Sequence, residues 1–88
     1  MINEAAFDLV VNNMKETPVN NKKTFARFMV GEKLDDFSQS LMEAWCYHAK
    51  EDDVQRLAIA YPQIANAMLE YNTLPEKKRG KYLDKLLK

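Results

Sequence analysis

The chain has 88 residues, 47% hydrophobic and 30% charged, a composition that folds as one small domain and excludes both disorder and a two-domain architecture. Thirteen basic residues balance thirteen acidic ones, so the chain as a whole lacks the basic excess that nucleic-acid binders tend to carry. Two Gly and three Pro leave little turn punctuation for a sheet, and one Cys cannot form an internal disulfide.

The first predicted helix covers residues 4 to 15. Asn3 serves as N-cap, Ile2 staples onto Phe7, and Phe7, Val10, Val11 and Met14 recur at helical spacing. A polar loop with Pro18 follows. Asn21 then caps a short helix bearing Phe25, Phe28 and Met29 on one side, with Gly31 as its left-handed stop. Leu34 and Asp35 are N′ and N-cap of a third helix over residues 36 to 50. At about 100° per residue, Phe37, Leu41, Ala44, Trp45 and His48 share its apolar side, and Met42 and Cys46 widen the arc to about half the circumference. Asp52 or Asp53 caps the next helix.

Val54 to Tyr71 keeps one helical phase through Pro62, with Leu57, Tyr61, Ile64, Ala65, Met68 and Leu69 on one face. Proline deletes a backbone hydrogen bond and clashes one turn back, so a kink or one-residue break is expected at residues 58 to 62. The alternative is a separate helix with Pro62 at N1. Thr73 and Glu76 have capping-box spacing at the start of a last helix, about 74 to 88. Tyr82, Leu83, Leu86 and Leu87 line one side of it, and Lys77, Lys78, Lys81, Lys85 and Lys88 the other. The fold class predicted is all-α: a compact bundle of four to five short helices in a single domain, residues 1–88. Its core would be Phe7, Val10, Phe25, Phe28, Phe37, Leu41, Trp45, Leu57, Tyr61, Ile64, Met68 and Leu83.

The segment "WCYHAKEDD" concentrates the only Trp, Cys and His. On a helix, Cys46 and His48 point about 160° apart and cannot act as a nucleophile and its base. One Cys and one His also fall short of a zinc ligand set. The pairs Asp35–Asp36 and Asp52–Asp53 read as helix caps, and no phosphate loop, nucleophile elbow or calcium loop is present. These features predict a non-enzymatic protein with no cofactor and no metal. With no basic leader and no apolar run of bilayer length, a soluble cytoplasmic protein is expected, with no membrane partner.

Charge is nevertheless asymmetric. From Thr73 onward six basic residues face only Glu76 and Asp84, a net +4, while Glu32 to Asp53 is rich in acids. The candidate partner-binding residues are therefore Lys77, Lys78, Lys81, Lys85 and Lys88, together with Met42 and Trp45 from a generous apolar arc. A host or viral protein is the partner expected first. Nucleic acid on the lysine face is the alternative function, and a second copy a further partner. A helix-turn-helix over residues 22 to 50 is disfavoured by the acidic start of its second helix, which repels phosphate.

The stretches "LDDFSQSLMEAW" and "DDVQRLAIAYPQIANAML" resemble a pattern found in small, uncharacterised helical proteins encoded by bacteriophages and prophages. The resemblance is carried by Leu34, Phe37, Leu41, Ala44, Trp45, Arg56, Leu57, Tyr61 and Pro62 and covers under half of the chain. It implies a phage accessory protein in the host cytoplasm that binds and inhibits or regulates a host factor or defence complex.

Overall fold

The computed structural model describes residues 13–88. Asn13 and Met14 are helical, Lys15 is already a bend, and residues 4–12 of the first predicted helix, Phe7 and Val10 among them, lie outside the described residues. Five helices follow: α1 (Lys22–Met29), α2 (Asp36–Glu43), α3 (Glu51–Ala60), α4 (Pro62–Thr73) and α5 (Glu76–Leu87), with a π-helical turn at Ala44–His48 directly after α2. No described residue is in a strand. The fold is all-α.

Local chemistry sets most of the boundaries. The Asn21 side chain accepts from the Lys23 N–H at 2.8 Å and starts α1. At the other end Gly31 takes φ +81. Its N–H donates to the Phe28 carbonyl and the Glu32 N–H to the Arg27 carbonyl, the paired bonds of a Schellman stop. Asp35 caps α2 by accepting from the Ser38 N–H at 3.2 Å, and hydrogen bonding from Ser38 holds its carboxyl below the ordinary value.

Three boundaries differ from expectation and one matches it. The predicted helix over residues 36 to 50 changes from α to π at Ala44 and ends at His48. Lys50 rather than Asp52 or Asp53 occupies the N-cap of α3. Asp53 sits three residues in and accepts from the Lys50 N–H at 3.2 Å, half of a capping box. At Pro62 the expected one-residue break is found, with Pro62 at N1 as in the alternative reading. Tyr61, at φ −131 and ψ 65, is the single non-helical residue, and Pro62 opens α4 where its missing N–H is harmless. No capping box forms at Thr73 either: its hydroxyl donates back to the Glu70 carbonyl at 2.8 Å, and Pro75 precedes α5.

The core sits where α1 meets α4 and α5, and α2 closes it through α1 and the π turn. Its buried apolar members are Phe25, Ala26, Met42, Trp45, Ile64, Ala67 and Leu83, with Phe28, Leu41, Leu57, Tyr61 and Met68 packed against them. Phe37 is a correction: predicted as core, it is 57% exposed. The inward side of α2 runs Ser38, Met42, Trp45, at i, i+4 and i+7, one residue round from the stripe centred on Phe37, Leu41 and Ala44. An apolar arc of half a turn offered both choices, and packing took the edge carrying Trp and Met.

The termini of α4 are closed by residues distant in sequence. Tyr61 has no capping side chain, so Asn20, buried in the loop before α1, supplies its Oδ1 to the Gln63 N–H at 2.9 Å. The Asn20 amide nitrogen meanwhile donates to the carbonyls of Asn13 and Lys15 at 2.6 and 2.9 Å. At the C-terminal end, the Arg79 Nε donates to the carbonyls of Tyr71 and Leu74, both at 3.1 Å, and the guanidinium lies 5.2 Å from the Tyr71 ring centroid. Lys22 pairs with Glu70 and ties α1 to the same helix.

Candidate protein-binding surface

The structure divides the predicted site residues into two groups. Met42 is 0% and Trp45 5% exposed. That corrects the assignment of Met42 to a partner-facing surface, since its side chain is spent on the core, and leaves Trp45 only as the buried floor of a groove. Lys77, Lys78, Lys81, Lys85 and Lys88 are all exposed on α5. None forms an ion pair with a described carboxylate, whereas Lys22 and Arg27 do, with Glu70 and Glu32 respectively. The basic and acidic segments of the chain therefore do not neutralise each other by direct contact among the described residues.

The apolar surface that is available lies elsewhere. A groove of about 270 Å³ runs between the end of α1, the π turn, the start of α3 and α4, lined by Phe25, Met29, Trp45, Cys46, Val54, Met68, Tyr71 and Asn72. Trp45 and Phe25 form its floor, since they are buried, and Tyr71 meets Phe25 edge-on at 5.4 Å between ring centroids. Its rim is accessible: Met29 and Val54 are 39% and 41% exposed. The two methionine side chains add unbranched, adaptable walls suited to an incoming apolar group.

Each wall has a sequence cause. Met29 is the last helical residue before the Gly31 stop, so nothing continues over it. The π turn inserts an extra residue into the helical repeat. Trp45 stays inside while Cys46, Tyr47 and His48 remain exposed, and Tyr47 tilts across Phe28 at 6.0 Å. Val54 rides on α3, a helix that fully buries none of its residues. The acids Glu51, Asp52 and Asp53 fill the first turn of that helix, all exposed, where its dipole favours negative charge. They put negative charge on the turn that leads into Val54, while Asp53 itself lines a second hollow and not this groove.

The polar chemistry is sparse. Partial burial pushes the Cys46 thiol up, away from the reactive thiolate. Among the described residues no three of His, Cys, Asp and Glu gather as a metal-binding set. A second open hollow, about 330 Å³, is lined by Ala44, His48, Ala49, Asp53, Arg56 and Leu57; it holds one imidazole, one carboxylate and one guanidinium without a nucleophile. Among the described residues Tyr82 is the most perturbed group: burial, with the Glu70 charge nearby, pushes its phenol up to about 12, and its hydroxyl has no hydrogen-bond partner of acceptable geometry among them. No described helix is long and apolar enough to cross a membrane.

Sequence reasoning missed Met29, Val54 and Asn72 as surface walls, because the groove joins four elements and no single helical wheel displays it. The Met and aromatic content was the one signal available. The sequence matches no protein-family model, and no curated protein or solved structure matches it either.

Proposed function

We propose that the protein acts without catalysis, as a protein–protein interaction module whose Met29–Val54–Met68 groove receives an apolar anchor of another protein. The observation that carries this reading is the concave apolar surface itself, with Trp45 and Phe25 in its floor and Tyr71 and two methionines along its sides. Negative charge on the first turn of α3 favours an anchor flanked by basic side chains, since complementary rims speed association and reject wrong partners. The resemblance to small phage and prophage proteins supports a more specific role, occupying a surface of a host factor or defence complex in the host cytoplasm.

Capture from host lysate, with and without nuclease, tests the reading when run on two variants. Val54→Asp places a charge on the rim at a half-exposed site that the fold tolerates. Protein bands that survive nuclease should fall at least about tenfold with this variant, equivalent to about 1.4 kcal/mol. They should be retained when Lys77, Lys81, Lys85 and Lys88 are changed to Glu. Equal capture by Val54→Asp would remove the groove from consideration.

A further inference from the structure

We propose that the solvent face of α5 is a second, separate binding surface, which holds the phosphodiester backbone of nucleic acid without reading its sequence. Lys77, Lys81 and Lys85 stand one helical turn apart, Lys88 extends the stripe, and Lys78 flanks it; from Lys77 to Lys88 the row runs about 17 Å. All five are exposed, and none is engaged by a described carboxylate. The remaining cation of the segment, Arg79, is withdrawn to the end of α4. Helix α5 packs mainly on α1, away from the acid-rich α2 and α3, so the neutrality of the whole chain does not apply to this face.

Magnitudes select the partner. Exposed lysine–carboxylate pairs contribute about 0.2–1 kcal/mol each. Five of them give about 1–5 kcal/mol, which reaches only the low end of the roughly 4–15 kcal/mol that association of two proteins costs. A polyanion differs because each neutralised phosphate releases condensed counterions, a gain that needs no shape complementarity. A lipid surface is disfavoured, because Leu83, Leu86 and Leu87 are turned into the core and cannot enter a bilayer. The only aromatic side chain of α5, Tyr82, is half-buried, so no stacking platform stands beside the lysines and bases are not read.

Fluorescence anisotropy with labelled oligothymidylate and with a DNA hairpin, across a sodium chloride series, tests this. With five contacts the logarithm of the association constant should fall against log salt with a slope of about −3.5 for the single strand and about −4.5 for the duplex. Base composition should leave the affinity unchanged. Lys77→Glu/Lys81→Glu/Lys85→Glu, with its fold verified by circular dichroism, should bind at least about tenfold more weakly. The equally charge-changing Lys15→Glu/Lys33→Glu/Lys50→Glu, at exposed sites outside α5, should bind nearly as well as the parent. No binding at low salt, binding retained by the α5 variant, or equal affinity for polyglutamate of matched charge would each overturn the proposal, the last in favour of an acidic protein. Groove variants such as Val54→Asp should leave this binding intact, so the two surfaces are judged separately.

Discussion

At the scale of single residues, two polar side chains do what no neighbour in sequence could. Helix α4 starts at a proline after a tyrosine, and neither can accept from the first free N–H groups. Asn20 reaches across 43 positions to do so, while its amide satisfies two loop carbonyls. Asn20→Ala therefore leaves one donor and two acceptors unpaired, in a part-buried setting. A loss of about 2–3 kcal/mol in urea unfolding is expected, above the ordinary capping loss because the clamp fails at both ends. A loss under about 0.5 kcal/mol would mean that water replaces the amide freely. These two closures were not legible in the sequence. Asn21, Asp35 and Gly31 were, because each acts on backbone groups within four residues of itself, and that is the range over which a cap can be seen without a fold.

At the scale of elements, the two glycines make opposite demands. Gly31 sits at φ +81, a conformation that side-chain-bearing residues resist. Gly80 lies inside α5, and a Cβ built there meets nothing within 4 Å. Gly80→Ala should thus stabilise by about 0.5–1 kcal/mol through helix propensity, and Gly31→Ala should destabilise by about 1 kcal/mol or more. Thermal denaturation of both variants checks the pair, and a Gly80→Ala protein no more stable than the parent would show that α5 is not a regular helix at that point. The lysine face of α5 was fully legible, since it needs only one helix and its period. The inward face of α2 was not. Its apolar arc allowed either Phe37–Leu41–Ala44 or Ser38–Met42–Trp45 to point inward, and the choice rested on what α1 and α4 offered in return. Burial of Met42 and Trp45, each contributing about 1.5–3 kcal/mol, decided it, and that same choice removed Met42 from the set of partner-binding candidates and left Trp45 as the floor of the groove.

At the scale of the whole molecule, stability is unevenly distributed. Helices α1, α4 and α5 supply Phe25, Ala26, Ile64, Ala67 and Leu83 to the core, whereas α3 supplies no fully buried side chain and exposes Val54 and Ile59. Three features hold α3 in place: the half capping box at Asp53, packing of Leu57 and Tyr61 at its C-terminal end, and an exposed hydrogen bond from the Asn13 amide to the Ile59 carbonyl at 3.3 Å. Opening α3 alone uncovers little apolar area, while opening α1 or α4 uncovers the core. Native-state hydrogen exchange should consequently resolve two classes of amide. Those of α3 should exchange through a local opening with a free energy well below the global value and little denaturant dependence, and those of α1 and α4 only through global unfolding. Equal protection of α3 and α4 would refute this partition. The consequence for binding is direct, because α3 carries Val54 of the groove and, just before it, the acidic first turn. A wall that opens independently of the core can adjust to an incoming side chain, and a bound anchor should then slow exchange in α3 more than in α4.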